Sequence, residues 1–176
     1  MHDDYKIKTA SPDDIHKIAR VHVDCWRTTY KDIVPDEKLQ SMSYEKSAER
    51  WKVFFTGTED KISTILLLDR NEEFVGFCAG GRIRKMSERT AGYDGEIKAI
   101  YILKEHQRMG LGKKLISSFE EIFQKNGIFS YIIWVLKDNS SKEFYKKLGG
   151  KLLTTKTYEI GGKKLKGLCF GYKIVS

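Results

Sequence analysis

The 176-residue chain contains no run of eighteen or more apolar residues, which is about the shortest length that spans a bilayer as a helix. Its first residues, Met1-His2-Asp3-Asp4, lack the basic segment followed by an apolar segment that marks a secretion signal. These absences predict a cytoplasmic protein without a membrane partner. At 20.4 kDa the chain has the size of one domain, so we expect residues 1–176 to form a single domain.

Cysteine and histidine are too few and too scattered to form a recognisable disulfide or metal motif. The three cysteines, Cys25, Cys78 and Cys169, are an odd number at unrelated spacings, which disfavours a disulfide framework and a metal knuckle. We interpret each as a small core residue. No two of the four histidines stand four positions apart, the spacing that places two ligands on one helical face. The sequence therefore predicts no metal.

Acidic residues are scarce at the C-terminal end. The formal net charge is +8 at pH 7, and residues 137–176 hold ten lysines against three carboxylates, a net charge of +7. A basic face can bind a nucleic-acid backbone, but no helix-turn-helix, zinc-finger or RNA-binding motif accompanies these lysines. Basic surfaces are more often simply solvated. We therefore favour a solvated basic face and a small phosphate-bearing ligand over a nucleic-acid partner.

Glycines are concentrated in an informative segment, Gln107-Arg108-Met109-Gly110-Leu111-Gly112, between a strand and a helix. Residues 96–103 form an apolar extended run, and apolar residues recur at helical spacing after the segment. Glycine in such a turn lets the backbone adopt positive φ and approach a ligand closely. The first N–H groups of the helix then attract phosphate. An ordinary glycine-capped turn is the alternative interpretation.

Three segments of the chain resemble the GNAT superfamily of acyltransferases. Residues 107–112 match its acetyl-coenzyme A-binding signature, (Q/R)-x-x-G-x-(G/A). Residues 134–150 are similar to the family's strand, Asn, short helix ending in Phe-Tyr, and Leu-Gly. Residues 26–30, with Pro35 and Leu39 behind them, resemble the first-helix region of many bacterial members. Together these segments cover the chain from about residue 5 to residue 172.

The resemblance implies an α/β (α+β) fold of the GNAT type, with one mixed, mostly antiparallel sheet of about six or seven strands flanked by helices. Two parallel strands, at residues 96–103 and 130–136, would splay apart where the cofactor enters. The residue pattern itself indicates the remaining elements. We expect further strands at residues 5–9, 64–69, 73–80, 152–160 and 165–174, and helices starting at Ser11, at 44–55 with its end near Gly57, at 111–126 and at 140–148.

A thioester already carries an activated acyl group, so its transfer to an amine requires positioning, an oxyanion site and proton transfer, but no metal. The resemblance implies that backbone groups of Ile100, Tyr101 and Ile102 bind the pantetheine arm and polarise the thioester carbonyl. It also assigns the phosphates to the turn and to Lys147. The residues of that turn are Gln107, Arg108, Met109, Gly110, Leu111, Gly112 and Lys113.

Two polar residues of the second segment have both a family role and an ordinary one. Asn139 follows a strand and could be a helix N-cap, whereas the matching family Asn contacts the pantetheine; the two roles are compatible. Tyr145 lies six residues later, and the matching family Tyr often protonates the departing thiolate. A Phe-Tyr pair on a helix is otherwise usually part of the core.

Glu96 is the candidate general base, acting directly or through water, because it lies on the central strand just before the thioester-contacting segment. The alternative is a solvent-facing carboxylate at the end of a strand. Some family members that acetylate protein N-termini carry Glu five positions before the Asn. This chain has Trp134 there, which weakens a protein N-terminus as acceptor. Candidates for the acceptor pocket, each with a core role as the alternative, are Trp26, Tyr30, Tyr93 and Asp94.

The sequence thus predicts an N-acetyltransferase that forms a ternary complex with acetyl-coenzyme A and a primary amine of a small molecule or peptide. The amine would attack the thioester directly. Alternatives are transfer to a hydroxyl, transfer of a longer acyl group, and a coenzyme A-binding sensor of the same fold without turnover. Glu96 and Tyr145 together favour catalysis over a sensor. Both a monomer and a homodimer are compatible with the sequence.

Overall fold

The structure is a computed structural model that describes residues 4–56, 63–83 and 88–175. Its strands are β1 (Tyr5–Thr9), β2 (Thr64–Arg70), β3 (Glu73–Arg82), β4 (Gly95–Ile102), β5 (Ser130–Leu136), β6 (Lys151–Ile160) and β7 (Lys163–Lys173). Its helices are α1 (Ile15–Thr29), α2 (Asp36–Gln40), α3 (Tyr44–Thr56), α4 (Leu111–Lys125) and α5 (Lys142–Lys147). Gly57, near which we expected the second helix to end, lies outside the described residues. In the described ranges no helix is both long and apolar enough to cross a bilayer.

One seven-stranded sheet carries the strands in the order β1-β2-β3-β4-β5-β7-β6. Every neighbouring pair is antiparallel except β4 and β5, which are parallel. Apolar side chains of α4 pack on one face of the sheet, and those of α1 and α3 pack on the other. The predicted fold class is confirmed, and the strand expected at residues 5–9 is β1, which lies at one edge of the sheet.

The two parallel strands pair only where they begin. Gly95 faces Tyr131, Glu96 faces Ile132 and Ile97 faces Ile133. Beyond these three pairs the strands are no longer partners, although β4 continues to Ile102 and β5 to Leu136. The predicted splay is therefore present, and it opens the sheet near its middle.

A β-bulge in β4 reorganises the residues beside this opening. Ala79 and Gly80 are consecutive in β3, but their partners in β4 are Ala99 and Ile97, so Lys98 is an extra residue. As a result Ile97 packs on the α4 face of the sheet, whereas Ala99 packs on the α1 face. The alternation of side chains between the two faces of the sheet is interrupted at Lys98. Each side chain after Lys98 therefore lies on the face opposite to the one that an unbulged strand would give it.

Three local features differ from the sequence-based expectations. The backbone N–H and hydroxyl of Ser11 donate to the Asp14 carboxylate (3.0 and 3.2 Å), but they cap a 3-10 turn that precedes α1. Helix α2, which follows Pro35, was not predicted. Helix α5 is shorter than residues 140–148 because the Asn139 side chain accepts the N–H of Ser141 at 2.8 Å before the helix begins.

Candidate active site

A cavity of about 430 Å³ opens where β4 and β5 separate. Its walls come from the end of α1, the second half of β4, the turn before α4, and the segment that joins β5 to α5. The predicted site residues that line it are Tyr30, Ile100, Tyr101, Ile102, Gln107, Arg108, Gly110, Leu111, Gly112, Asn139 and Tyr145. The fold thus brings together segments that are far apart in the sequence.

The turn before α4 has a backbone shaped by two residues with left-handed dihedral angles. Arg108 has φ of 60° and Gly110, the N-cap of α4, has φ of 75°. The Gln107 side chain donates to the carbonyl oxygen of Ile102 at 2.8 Å and so ties the turn to the end of β4. A Cβ on Gly110 would meet no described atom within 4 Å, so the space beside the helix N-terminus is open. This geometry suits phosphate, which helix N-termini bind.

The second glycine of the turn has a packing role. A Cβ on Gly112 would lie 3.0 Å from the ring of Phe144, closer than packed atoms normally approach. Gly112 therefore lets α5 approach the first turn of α4. Phe144 in turn contacts the ring of Tyr145, with centroids 5.3 Å apart.

Tyr145 is held at the cavity wall with its hydroxyl available. Its side chain is only 7% exposed, and none of the described residues forms a hydrogen bond with its hydroxyl. Burial raises the pKa of Tyr145 far above its usual value. Burial also raises the pKa of Tyr30, an effect that the nearby Asn139 side chain opposes. Both phenols therefore stay protonated at neutral pH.

The same surroundings disfavour negative charge on sulfur. Burial, followed by the nearby Asp24 carboxylate, raises the pKa of Cys25 to about 12, and Cys25 lines the cavity. Burial in this part of the cavity wall therefore disfavours a charged thiolate.

The chain resembles known proteins in both sequence and fold. The FR47-like protein family matches residues 74–159. YuaI of Bacillus subtilis strain 168, called an uncharacterized N-acetyltransferase, is 35% identical over 170 residues, which are 97% of this chain and 94% of that protein. The chain belongs to the GNAT superfamily of N-acetyltransferases. The predicted family is therefore confirmed.

Two further N-acetyltransferases extend the comparison. Spermidine N(1)-acetyltransferase of Thermoplasma acidophilum is 25% identical over 154 residues, which are 85% of this chain and 90% of that enzyme. The crystal structure of PaiA N-acetyltransferase from T. acidophilum, in complex with coenzyme A, superposes with a TM-score of 0.69 at 21% identity. That likeness covers 96% of this chain and 98% of the other, and it shows that the two share the fold.

Several predicted site residues of this GNAT protein lie off the cavity. Met109 accepts a hydrogen bond at its sulfur from the Tyr5 hydroxyl (3.7 Å). Lys113 and Lys147 are exposed. Trp26 contacts the wall from behind, where its indole N–H donates to the Tyr101 hydroxyl at 2.9 Å.

Two candidates for the acceptor pocket lie at the other end of β4. Tyr93 packs its ring next to Gly171 and beneath the Lys173 ammonium, which is 4.6 Å from the ring centroid. Asp94 is exposed immediately before β4. Neither residue lines the cavity that the splay creates.

Glu96, the candidate base, sits just below the opening. It precedes Ile97, which lines the cavity and packs on the α4 face, so strand alternation places Glu96 on the opposite, α1 face. Its carboxylate adds to burial in raising the pKa of Tyr158 to about 12 and that of Cys169 to about 11. Glu96 is half-buried and adjoins the cavity without lining it.

Sequence reasoning missed about half of the cavity wall. The residues not predicted are Cys25, Thr29, Ile97, Lys98, Ala99, His106, Ile133, Trp134, Val135, Ser140, Ser141 and Phe144. Ser140, Ser141 and Phe144 flank Asn139 and Tyr145, so their positions in the second family segment were a usable signal. Lys98 and Ala99 depend on the bulge, which no residue in the sequence announces. None of the described residues form a His, Cys, Asp or Glu group that could hold a metal ion.

Proposed function

We propose that this GNAT protein transfers an acetyl group from acetyl-coenzyme A directly to a primary amine within a ternary complex. The observation that carries the proposal is the separation of β4 from β5 after Ile97. It creates a cavity that runs from the phosphate-shaped turn of α4 to the Tyr145 side chain. The turn suits the coenzyme's phosphates, and Tyr145 offers a proton donor in the same cavity.

The donor would lie along the unpaired edge of β4. From Ala99 to Ile102, β4 pairs with β3 but no longer with β5. Backbone N–H and C=O groups on that edge need partners, and the amide groups of a pantetheine arm can supply them. The Arg108–Gly112 turn would then receive the pyrophosphate. A backbone N–H of the free edge is also available to polarise the thioester carbonyl.

Tyr145 would supply the proton that the leaving group needs. The amine nitrogen bonds to the thioester carbonyl carbon, the C–S bond breaks, and the sulfur takes the proton of the Tyr145 hydroxyl. Burial raises the pKa of the Tyr145 phenol as well as that of a thiol in the cavity wall, so the two effects oppose each other, and the transfer depends on the sulfur being held next to the hydroxyl. The phenolate recovers its proton from solvent when the products leave.

Glu96 would take the proton that the attacking amine loses. Its position next to the cavity on the α1 face is compatible with transfer through one water molecule. A primary aliphatic amine as acceptor is supported by one relative, which is a spermidine N(1)-acetyltransferase.

Release of free coenzyme A thiol from acetyl-coenzyme A tests the proposal. We expect a panel of primary amines to stimulate release well above the rate of hydrolysis, and the acetylated amine to appear by mass spectrometry. Matched alcohols and longer acyl donors in the same assay test the alternatives. Tight acetyl-coenzyme A binding without stimulation by any amine would instead support a sensor.

A further inference from the structure

Two aromatic side chains on the α1 face of the sheet surround an ammonium group. Trp134 of β5 and Tyr158 of β6 meet edge to face, with centroids 6.3 Å apart and ring planes at 87°. The Lys156 ammonium is 4.3 Å from the centroid of Trp134 and 4.5 Å from that of Tyr158. Both distances are inside the range of about 6 Å for cation–π attraction. We call Trp134 and Tyr158 the aromatic clamp.

The clamp depends on a glycine in the strand between its two halves. Gly167 of β7 pairs with Leu136 of β5 on one side and with Lys156 of β6 on the other. A Cβ on Gly167 would overlap the Tyr158 ring. The ring can therefore lie across β7 toward Trp134 only because position 167 has no side chain. The clamp is built by three strands and is not a chance contact of exposed rings.

The clamp adjoins the cavity through Trp134, which belongs to both. Trp134 pairs across the sheet with Cys169, and the Glu96 carboxylate acts electrostatically on both Cys169 and Tyr158. Two aromatic faces therefore lie next to the cavity, and the Glu96 carboxylate is near enough to act electrostatically on one of them. All three features favour a cation.

Resting on the proposed function, we propose that the aromatic clamp binds a second, charged amino group of the acceptor, so that the preferred acceptors are aliphatic diamines and polyamines. The amine that attacks must be neutral, so the group in the clamp is a different one. Lys156 holds this position in the free protein and gives it up to the acceptor. Lys156 is exposed, and exposed cation–π contacts are weak, so the exchange costs little.

The test compares α,ω-diamines, from 1,3-diaminopropane to 1,8-diaminooctane, with n-alkylamines of the same lengths. We expect kcat/KM for at least one diamine to exceed that of its matched monoamine. Tyr158→Leu and Trp134→Leu should each reduce this preference by about two- to thirtyfold, the range for cation–π contacts. Trp134→Phe, which keeps an aromatic face, should retain part of it. Thermal melts check that each variant folds. If one of the two leucine variants does not fold, the other tests the clamp.

Lys156→Met decides what the lysine contributes. If Lys156 is only the occupant of the free clamp, its removal should leave the diamine KM unchanged or lower it. The matched control is Lys151→Met, which removes another exposed charge from β6 away from the clamp. A diamine KM raised as much by Lys156→Met as by Tyr158→Leu would overturn the proposal, because the lysine itself would then bind the acceptor.

Equal kcat/KM values for diamines and monoamines would overturn the clamp and leave the proposed acetyl transfer intact. If no amine is acetylated, the proposed function fails, and binding still decides the clamp. The most effective diamine spacing is then found by calorimetric titration of the same diamines into the protein saturated with coenzyme A. Weaker binding to Tyr158→Leu than to the unsubstituted protein supports the clamp, and equal binding overturns it.

Discussion

Among individual side chains, the Tyr145 hydroxyl has the most direct role in the proposed chemistry. Tyr145→Phe keeps the ring that packs against Phe144 and removes only the proton donor. We expect kcat to fall by about 10- to 1,000-fold, in or just below the usual range for general acid catalysis. The dissociation constant for acetyl-coenzyme A should change little. Steady-state kinetics and calorimetry on one preparation measure both quantities.

The control for this substitution is Tyr44→Phe, which removes an exposed hydroxyl that donates to Asp24 on the far side of α1. A purely structural Tyr145 would show lower stability and near-normal turnover in the folded fraction. Full activity of Tyr145→Phe would remove the hydroxyl from the mechanism and leave water as the proton donor.

Gly110 and Gly127 have similar backbones at opposite ends of α4. Their φ angles are 75° and 71°, and a Cβ on either would meet no described atom within 4 Å. Valine at either position should cost about 1–2 kcal/mol of stability, because a branched residue is strained there. Only Gly110→Val should also raise the dissociation constant for acetyl-coenzyme A, by about tenfold or more. Its branched side chain would keep the phosphates away from the backbone N–H groups of the turn, and the charged hydrogen bonds to phosphate would be lost.

Titration calorimetry beside a thermal melt separates the two effects. Gly127→Val reports the strain alone, because it lies at the C-terminal end of the same helix. If Gly110→Val lowers the melting temperature like its counterpart but binds acetyl-coenzyme A normally, the segment at residues 107–112 is an ordinary turn.

Some of the predicted site residues that line the cavity have a backbone or neighbours that carry a local signal. Gly110 has a glycine-specific φ, and Asn139 stands between a strand and a helix. Two acceptor-pocket candidates that lie off this cavity carried no such signal, and their role stays a prediction. Tyr93 and Asp94 precede β4 by one or two positions, and the direction in which β4 splays from β5 decides that they lie off the cavity.

Among the secondary-structure elements, the positions of the strands in the sequence were predictable, whereas the register between neighbouring strands was not. Alternation and apolar runs located β2, β3 and β5 to within two residues of their ends. The bulge at Lys98 arises from the register between β3 and β4, a long-range property that no local pattern encodes. It rearranges the cavity wall, which explains why Lys98 and Ala99 were missed.

The contact between α1 and α3 contains a histidine that should make stability depend on pH. His22 of α1 lies 2.8 Å from the Ser47 hydroxyl and packs against the rings of Trp51 and Tyr101. Burial, followed by the positive charge of Arg50, lowers the pKa of His22 from 6.5 to about 4. Between these two pH values the unfolded chain binds a proton that the folded protein does not. Stability should therefore fall as the pH drops from 6.5 to 4, by about 3 kcal/mol in total from this residue.

Urea denaturation at several pH values measures this dependence. His22→Gln should flatten the pH profile relative to the unsubstituted protein, even though its stability at pH 7 is lower. His16→Gln, which removes an exposed histidine of the same helix, is the control and should leave the slope unchanged. Parallel slopes for all three proteins would show that acid destabilisation originates elsewhere.

Considered over the entire described chain, the basic C-terminal region has partners within the protein. Lys163 donates to the carbonyl oxygen of Ile33, Lys142 donates to that of Lys137, and Lys146 pairs with Glu143. Lys156 and Lys173 lie over aromatic rings. These contacts give much of the lysine excess an intramolecular role, which supports our prediction that a nucleic-acid partner is not needed to explain it.

Binding of the acetyl donor should stabilise the whole fold, because the cavity joins α1, β4, β5, α4 and α5 and exists only when they are assembled. A ligand that binds only the native state adds RT ln(1 + [L]/Kd), about 2.7 kcal/mol at a hundredfold excess over Kd. For a domain of this size we expect acetyl-coenzyme A to raise the Tm by roughly 5–10 °C. A nicotinamide dinucleotide, which also carries a pyrophosphate, should not, because it has no pantetheine arm to pair with the free edge of β4.

Differential scanning fluorimetry with both compounds at equal concentration makes the comparison. Equal shifts would mean that the turn alone binds pyrophosphate and that the splayed strands contribute nothing. A larger shift with the dinucleotide would contradict the assignment of the cavity to acetyl-coenzyme A.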